Sequence, residues 1–324
     1  MYKISVVIPV YNVERYIEKC VCSLMEQTLD NIEYIFVDDC SPDDSIKILE
    51  TTLERYPNRK DDVRIIRHKV NKGASITRND GLTRATGQYV IFCDSDDFID
   101  VCMYELLYGK AILNNADIVA CGMRVHFIDG SKSKEILFNS NILYRNSLKE
   151  YDKIEGGIYS STCNKLIKRD YLLNNKIFFD TSTCMWEDLY VCIRARFFTE
   201  QMYIVDLPLY NYCLHEGSII SSDILSRVES QVKVTKLIEN FFILNNCRKE
   251  YSNIIAFLKY RAKYNLMEKH FSLWKNIFPE ARKELLAISS YHGLTLTLKY
   301  FLYSYLGYLG YFIYGILIRI KSFL

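Results

Sequence analysis

Acidic side chains cluster at two places where their spacing could do chemistry. Asp94, Asp96 and Asp97 fall within four residues, and Asp38 and Asp39 form a pair further upstream. Three carboxylates this close repel one another unless a positive charge lies among them. A divalent cation is the simplest such charge, and ligands that offer only oxygen favour Mg²⁺ or Mn²⁺. The first cluster therefore predicts a metal site.

The metal in turn indicates a class of ligand. Hard divalent cations held by one or two carboxylates usually share their ligand shell with substrate phosphates. We therefore expect a nucleotide or a nucleotide-activated compound. The glycine fingerprint G-x-G-x-x-G is missing after the first apolar run, and no Walker A sequence occurs. This argues against a nicotinamide dehydrogenase and against a P-loop kinase or NTPase, so the metal has to carry the diphosphate charge.

The segments around the acids predict alternating strands and helices. Four apolar, β-branched runs are typical of strands buried in a parallel sheet, and they cover 4–10, 32–37, 63–68 and 89–93. Three segments of helical spacing lie between them, at 15–27, 45–56 and 74–85. This alternation indicates an α/β fold, in which ligands bind at the carboxyl ends of the strands. Tyr11-Asn12, Asp38-Asp39 and the Asp94 cluster are therefore expected along one sheet edge.

The composition is that of an ordinary folded protein. The chain has 324 residues, of which 49% are hydrophobic and 25% charged, so disorder is excluded and about two domains are expected. A formal net charge of +2 gives no sign of the strongly basic surface that proteins use to bind nucleic acid. The 11 cysteines are irregularly spaced and are expected to be reduced. The N-terminal apolar run lacks a cleavage site and predicts a strand, which favours a cytoplasmic protein.

Six segments, in this order, resemble the family 2 glycosyltransferases over residues 1–220. They are VVIPVYN (6–12), FVDDCSPDDS (36–45), NKGASITRNDGLTRATGQYVIFCDSDD (71–97), NKL (164–166), WEDLYV (186–191) and YNYCLHEGSI (210–219). The resemblance implies the GT-A fold of the nucleotide-diphospho-sugar transferases, with a mostly parallel central sheet flanked by helices. It also implies an inverting, metal-dependent transferase that moves a sugar from a nucleotide sugar, with a UDP-sugar favoured, to a hydroxyl group.

On the nucleoside side of the donor site, the resemblance assigns roles residue by residue. Pro9, Tyr11 and Asn12 match the loop that lies against the nucleoside. Asp39 matches the acid that binds the base. Asn71 matches the first position of the N-x-G-x-x-x-x-R-N stretch, which also touches the nucleotide.

On the phosphate side, Arg78 matches the arginine of that same stretch, and a cation near a diphosphate makes electrostatic sense. Asp94 and Asp96 match the DxD motif, in which Asp96 binds the metal most directly and Asp94 faces the ribose or the metal. Ser95, between them, is placed with the donor-binding residues. Asp97 matches a supporting carboxylate.

Asp188 matches the acid of a Glu-Asp motif that acts as general base in this family, with Glu187 in support. The acceptor hydroxyl must lose a proton as it attacks the sugar, and a base opposite the departing diphosphate gives inversion. The alternative is that two acids merely stabilise the first turn of a helix. His215 could complete the metal shell or be an ordinary loop histidine, and Trp186 could line an acceptor pocket or pack in the core. Both questions stay open.

The C-terminal third is expected to be helical. Apolar spacing predicts helices at 225–244, 251–270 and 280–288, and residues 300–318 carry no charge over about 28 Å of helix. Tyrosines on one face of 300–318 favour a helix lying in the membrane interface, with a membrane span and a dimer or core helix as alternatives. The expected division is a nucleotide-sugar half at 1–100, an acceptor half at 101–222 and a helical region at 223–324.

A membrane-surface helix would suit a lipid-linked acceptor in bacterial surface polysaccharide synthesis, on the inner face of the cytoplasmic membrane. Whether the protein forms a homodimer also stays open. Two other functions are alternatives to the transferase. One is a non-catalytic module that binds a nucleotide sugar within a complex. The other is a sugar nucleotidyltransferase, which usually carries a glycine-rich stretch where this chain has PVYNVERY.

Overall fold

The computed structural model describes residues 1–127, 133–153, 157–215, 224–264, 266, 270–281, 309–310 and 313. The chain forms two compact units. The first comprises Met1–Arg145 and Gly156–Ser222, and the second comprises Asn146–Glu155 and Asp223–Leu324. The expected helix at 300–318 lies outside the described residues, except for three positions. None of the helices within the described ranges is long and apolar enough to cross a membrane.

The first unit begins with the expected alternation of strands and helices. Its elements are β1 (Ile4–Val10), α1 (Ile17–Met25), β2 (Ile32–Asp38), α2 (Ser45–Leu53), β3 (Val63–Arg67), α3 (Ala74–Arg84) and β4 (Tyr89–Phe92). The four strands pair in parallel in the order β3-β2-β1-β4. Strand β2 is buried along its whole length, as its apolar sequence predicts.

The same unit continues with elements whose pairing is mixed. They are β5 (Phe98–Ile99), α4 (Met103–Leu113), β6 (Ile118–His126), β7 (Lys134–Ile136), β8 (Ile142–Tyr144), β9 (Lys165–Lys168), α5 (Arg169–Asn174), α6 (Glu187–Phe198) and β10 (Gln201–Cys213). The sheet runs on from β4 through β9, β6 and β10 to β5. Strand β9 is antiparallel to both of its neighbours, whereas β6 and β10 are parallel. The α/β fold is confirmed, with more antiparallel pairing than the expected mostly parallel sheet.

The carboxyl ends of β1, β2 and β4 lie at one edge of the sheet, as predicted. Val10 is in register with Asp38, and the Asp39 N–H donates to the Val10 carbonyl at 2.9 Å. Beside them, the Cys93 N–H donates to the Val7 carbonyl at 3.0 Å. The residues that follow these strands are therefore neighbours. One detail differs, because Pro9 lies inside β1 rather than in the loop after it.

Helix α3 approaches this edge closely because it has a glycine at the contact. A Cβ atom on Gly81 would lie 2.3 Å from Cγ1 of Val7 in β1. No side chain fits in that space, so α3 packs directly on the strand. The same helix carries Arg78, whose position relative to the sheet edge is fixed by this contact.

The second unit is helical where it is described. Its helices are α7 (Ile224–Leu244), α8 (Ser252–Lys263) and α9 (Phe271–Asn276). The first agrees with prediction to within one residue, while α8 ends earlier than the expected 251–270. Two lysines of α8 are buried. Lys259 Nζ lies 3.1 Å from Glu239 and 3.0 Å from Glu280, and Lys263 Nζ donates to the carbonyls of Ile277 and Phe278.

Candidate active site

Arg78 is the buried centre of the site, with 7% of its side chain exposed. Its Nη2 lies 2.8 Å from Asp94 Oδ1, and its Nη1 lies 3.0 Å from Glu187 Oε1. The same Nη1 is 3.8 Å from Asp188 Oδ1. Burial acts to lower the pKa of Arg78, but the three carboxylates raise it well above its usual range. The guanidinium therefore stays charged and joins α3, the loop after β4 and the start of α6.

This arrangement gives Arg78 a task that the sequence did not indicate. The family resemblance implied contact with the nucleotide, and that contact stays a prediction. In the structure both terminal nitrogens bind carboxylates, so Arg78 links the DxD motif to the Glu-Asp motif. Arg78 and Glu187 are 109 positions apart, and no local pattern could have paired them.

Asp188 lies in the first turn of α6 with 22% of its side chain exposed. The Thr162 N–H donates to its Oδ2 at 3.2 Å. Its Oδ1 accepts no hydrogen bond from any residue in the described part of the chain. Burial raises the pKa of Asp188 to about 6, Glu187 and Asp94 add to the rise, and Arg78 and Thr162 oppose it. Oδ1 is buried and lies beside the Arg78 guanidinium. A carboxylate that titrates near neutrality suits a general base.

The pKa of Asp188 predicts how the rate depends on pH. Only the ionised carboxylate can accept a proton, so kcat/KM is expected to rise with pH to a plateau above about pH 7, with a midpoint near 6. Below the midpoint the rate is expected to fall about tenfold per pH unit. Initial rates from about pH 4.5 to 8.5 test this. A profile that stays flat through this range would exclude Asp188 as the titrating base.

A cavity of about 400 Å³ opens on Asp188. Its polar wall is formed by Arg78, Asp94 and the Glu-Asp motif. Most of the remaining lining is apolar or aromatic and includes Met123, Val125, Ile136, Ile158, Met185, Trp186, Leu189, Tyr210 and Tyr212. Pockets of this kind bind small molecules through apolar surface and a few polar groups. The cavity therefore has room for a ligand next to Asp188.

Trp186 is the residue directly before α6, and its backbone is in a left-handed conformation with φ of 68°. That conformation is rare for a bulky residue and is kept only where the surroundings hold it. Its side chain is half-buried and lines the cavity, so core packing does not describe it. Its carbonyl accepts the Tyr190 N–H at 3.1 Å and so begins the helix that carries Asp188.

The DxD loop is fixed to β10 through Asp97. The hydroxyl of Tyr210 donates to Asp97 Oδ2 at 2.5 Å, and the Cys213 N–H donates to Oδ1 at 2.8 Å. Burial, together with the charges of Asp96 and Asp94, raises the pKa of Asp97 well above its usual range. Both oxygens are therefore engaged within the protein, in keeping with the supporting role expected for Asp97. Ser95, in the same loop, is buried.

Asp96 meets His215, a contact compatible with both of the alternatives left open for that histidine. His215 Nε2 lies 2.7 Å from Asp96 Oδ2, and the imidazole ring lies 4.7 Å from the ring of Tyr16. Burial, followed by the charge of Asp94, raises the pKa of Asp96. A cation between Asp94 and Asp96 would relieve that repulsion, so the donor set fits a Mg²⁺ or Mn²⁺ ion. Across the described ranges, however, no three His, Cys, Asp or Glu side chains group as a metal site, and the metal role stays a prediction.

Asp39 is buried and holds the start of α3. Its Oδ1 accepts the Lys72 N–H at 2.8 Å and lies 2.8 Å from His68 Nδ1, while its Oδ2 accepts the Gly73 N–H at 2.7 Å. His68, for which no role was predicted, also lies 2.9 Å from Asp80 through Nε2. Asp39 therefore shapes the turn before α3. Whether it also binds a base stays a prediction.

Of the remaining nucleoside-side residues, Tyr11 and Asn12 follow β1 and Asn71 lies in the turn before α3. Tyr11 is exposed, and Asn12 has a left-handed φ of 55°, so the chain turns sharply after β1. Asn71 Oδ1 accepts the Gly73 N–H at 3.1 Å. The predicted residues of this group are thus placed at the same sheet edge as the DxD loop. The exposed ring of Tyr11 is available to a ligand.

Comparison with known proteins identifies the family. The sequence pattern described as Glycosyl transferase family 2 matches residues 5–174. The chain belongs to this family. EpsH of Bacillus subtilis is 32% identical over 255 residues, which cover 76% of this chain and 71% of EpsH. Membership favours a transferase over the sugar nucleotidyltransferase and over the non-catalytic module. Glu187, Asp188 and His215 of this glycosyltransferase lie beyond the matched residues, so their roles depend on the geometry above.

Two solved structures share the fold of the glycosyltransferase. One is Staphylococcus aureus TarS 1–349 in complex with UDP-GlcNAc, with a TM-score of 0.70 and 20% identity over 93% of this chain and 87% of that one. The other is the mannosyltransferase PcManGT of Pyrobaculum calidifontis in complex with GDP-Man and Mn²⁺, with a TM-score of 0.56 and 14% identity over 90% and 76%. The expected GT-A fold is thereby confirmed.

Proposed function

We propose that this family 2 glycosyltransferase moves a sugar, with inversion, from a UDP-sugar to a hydroxyl of a glycan or of a lipid-linked oligosaccharide. The observation that carries the proposal is the position of Asp188. Asp188 lines a cavity that Asp94 of the DxD loop also lines, and burial raises the pKa of its carboxyl to about 6. A base and a donor-binding loop thus face one space large enough for an acceptor sugar.

Asp188 takes the proton of the acceptor hydroxyl as that oxygen attacks the sugar carbon that bears the diphosphate. A pKa of about 6 leaves the carboxylate ionised at neutral pH yet basic enough to assist. Arg78 has two roles here, since its charge favours the ionised form of Asp188 and its bonds hold the DxD loop beside α6. Attack from the face opposite the diphosphate gives inversion.

Asp94, Asp96 and His215 are the residues proposed to hold Mn²⁺ or Mg²⁺. When bound, the cation supplies the positive charge that a departing diphosphate needs. The oxygen donors of the DxD loop support this, as does the Mn²⁺ in PcManGT, which has the same fold. The UDP-GlcNAc in TarS supports a uridine donor, and the GDP-Man in PcManGT makes a guanosine donor the alternative to test. Pro9, Tyr11, Asn12, Asp39, Asn71 and Ser95 are proposed to line the donor site.

The cavity supports a sugar as acceptor. Trp186 and Tyr212 offer aromatic faces, and the carboxylates beside them can accept hydrogen bonds from hydroxyl groups. A lipid-linked acceptor would suit the proposed attachment of residues 300–318 to a membrane surface. That part of the proposal depends on the sequence alone.

Replacing Asp96 with Ala is expected to weaken UDP binding by about tenfold to a hundredfold in the presence of Mn²⁺. Without the Asp96 carboxylate, the cation that neutralises the diphosphate is held less tightly. Contacts to charged groups of this kind contribute about 1.5–3 kcal/mol. Calorimetric titration measures the affinity with and without EDTA. Asp170→Asn, at an exposed residue of α5, is the control. An unchanged affinity in Asp96→Ala would remove this residue from the metal site.

The proposed function is tested by offering UDP-, GDP- and TDP-sugars separately to the purified protein with Mn²⁺. Release of nucleoside diphosphate is followed with and without EDTA, and titration of each nucleoside diphosphate accompanies the assay. EDTA-sensitive release from one UDP-sugar is the expected result. Release from a GDP- or TDP-sugar alone would overturn the uridine donor. An absence of any metal-dependent nucleotide binding would overturn the proposed donor site.

A further inference from the structure

Lys165, the first residue of β9, is buried with 1% of its surface exposed, and its hydrogen-bond partners among the described residues include no carboxylate. Its Nζ donates to the carbonyl of Ile158 at 2.7 Å, to the carbonyl of Ser161 at 2.6 Å and to Asn164 Oδ1 at 2.9 Å. All three ammonium hydrogens therefore have acceptors. Burying a charged group is costly unless its bonds are made, so the ammonium and the loop it binds depend on each other.

The residues bound by Lys165 form a closed loop, which we call the 158–165 loop. Asn164 Nδ2 donates to the carbonyl of Ile158 at 3.2 Å and to that of Cys121 in β6 at 2.7 Å. The Lys165 N–H donates to the carbonyl of Thr162 at 3.2 Å and closes the turn. Lys165 and Asn164 thus fix the loop from inside and attach it to the sheet.

The 158–165 loop in turn contacts the proposed base. The Thr162 N–H donates to Asp188 Oδ2 at 3.2 Å. One turn further along α6, Cys192 Sγ lies 3.3 Å from the carbonyl of Ser160 and 3.5 Å from that of Ser161. The loop therefore meets α6 at Asp188 and again at Cys192. Ile158, Ser160 and Ser161 also line the cavity.

We propose that Lys165 is a positioning residue for the base: through the 158–165 loop it holds the Thr162 N–H against Asp188 Oδ2 and so fixes the orientation of the carboxylate that lines the cavity. The inference rests on the proposed function, because it assumes that Asp188 is the base. It goes beyond that proposal by assigning a task to a buried lysine that touches neither donor nor acceptor.

The charges around Asp188 determine what the loss of Lys165 does. Arg78 from α3 and the ammonium of Lys165 from β9 favour the ionised carboxylate, while Glu187 of α6 and Asp94 after β4 disfavour it. Cys163 and Cys192 face the same region, and burial raises the pKa of each thiol, so both are neutral. Removing Lys165 takes away one favourable charge and releases a hydrogen bond to the carboxylate. Both changes move the pKa of Asp188 upward.

The test compares Lys165→Met with the wild-type enzyme. Met has a similar volume and donates no hydrogen bond. We expect kcat/KM at pH 7 to fall about tenfold to a hundredfold, mostly in kcat, because the base loses its orientation. The KM for the donor is expected to stay within about twofold. The acid limb of the pH profile is expected to shift upward by about one pH unit, a change that a purely structural defect would not produce.

Lys263→Met is the matched control. Lys263 is also buried and also donates its Nζ to two backbone carbonyls, but it lies in the second compact unit. An acid limb that stays at its wild-type position in Lys165→Met, with a loss of rate no larger than in Lys263→Met, would overturn the inference. If Lys165→Met fails to fold, Lys165→Arg replaces it. It keeps the charge in a different geometry, and an unshifted acid limb there would also overturn the inference.

A readout that does not need activity separates this inference from the proposed function. The carboxyl signal of Asp188 can be followed by ¹³C NMR on protein labelled at aspartate and assigned by its absence in Asp188→Asn. An upward shift of its titration in Lys165→Met supports the positioning role even if no donor is turned over. An unchanged titration contradicts the role even if the wild-type enzyme transfers sugar.

Discussion

Asp188→Asn is expected to slow sugar transfer by about 10²–10⁴-fold, the range that a general base contributes, while the affinity for UDP changes by less than about twofold. Asn has nearly the same shape but cannot take a proton. Of the other carboxylates that line the cavity among the described residues, Asp94 and Glu187 accept hydrogen bonds from Arg78, and Asp97 accepts one from Tyr210. Rate and affinity are measured on the same preparation, by nucleoside diphosphate release and by calorimetry.

Asp170→Asn, on the exposed surface of α5, is the control for a change from Asp to Asn that touches no site residue. It should leave both quantities unchanged. If Asp188→Asn lost transfer and UDP binding to the same extent, its role as base would have to be abandoned. If it kept the wild-type rate, the base would lie elsewhere in the cavity.

The same variant is expected to be more stable than the wild-type protein at pH 8. The folded protein raises the pKa of Asp188 from 3.8 to about 6, so the native state binds the proton more tightly than the unfolded chain. Stability from this group is complete below about pH 4 and is lost as the pH rises through about 6. Two pKa units correspond to at most about 3 kcal/mol. Thermal unfolding at pH 4 and pH 8 tests this, and an equal difference at both values would contradict the raised pKa.

Arg78→Met is expected to destabilise the protein by about 3–5 kcal/mol, the usual cost of removing one partner from a buried ion pair. Asp94 and Glu187 would lose their hydrogen bonds to the guanidinium, and Asp188 its nearby positive charge. Three carboxylates would then repel one another with no cation among them. Urea unfolding measures the change, and activity is expected to fall with it because the DxD loop and α6 are no longer joined.

Arg84→Met is the matched control on the same helix. Arg84 is exposed and its ion pair with Asp80, at 3.9 Å, joins two surface side chains one turn apart. Such a pair contributes less than about 1 kcal/mol. If Arg78→Met were no more destabilising than Arg84→Met, Arg78 would not be the centre of the carboxylate cluster. Arg78→Lys is expected to fall in between, because one ammonium cannot reproduce a fork that binds two carboxylates.

The parts of the site predicted from sequence are those that depend on local pattern. Apolar runs of strand length gave β1 to β4, and parallel pairing then required their polar ends to meet at one edge. Tyr11, Asp39 and Asp94 are at that edge in the structure. The metal site was predicted from the spacing of the carboxylates, because acids within a few residues of one another repel unless a cation lies among them.

The parts that were missed depend on contacts between distant segments. Arg78 meets Glu187 because the fold brings the start of α6 next to α3, and Asp39 holds the turn before α3 with both of its oxygens. Strand β9 is antiparallel to both of its neighbours and begins with Lys165, next to the loop whose Thr162 N–H donates to Asp188. Hydrophobic spacing carries no information on such pairings. For Lys165 the available signal was its place in the NKL segment of the family resemblance, which does not show what the lysine contacts.

The central claim is that the DxD loop holds a nucleoside diphosphate through a metal while Asp188 acts on the acceptor. Calorimetric titration of UDP with Mn²⁺ and with EDTA, into wild-type, Asp96→Ala and Asp188→Asn proteins, tests it most directly. We predict Mn²⁺-dependent binding that is weakened about tenfold or more in Asp96→Ala and unchanged in Asp188→Asn. Binding that ignores EDTA, or that falls equally in both variants, would contradict the division of roles between the two motifs.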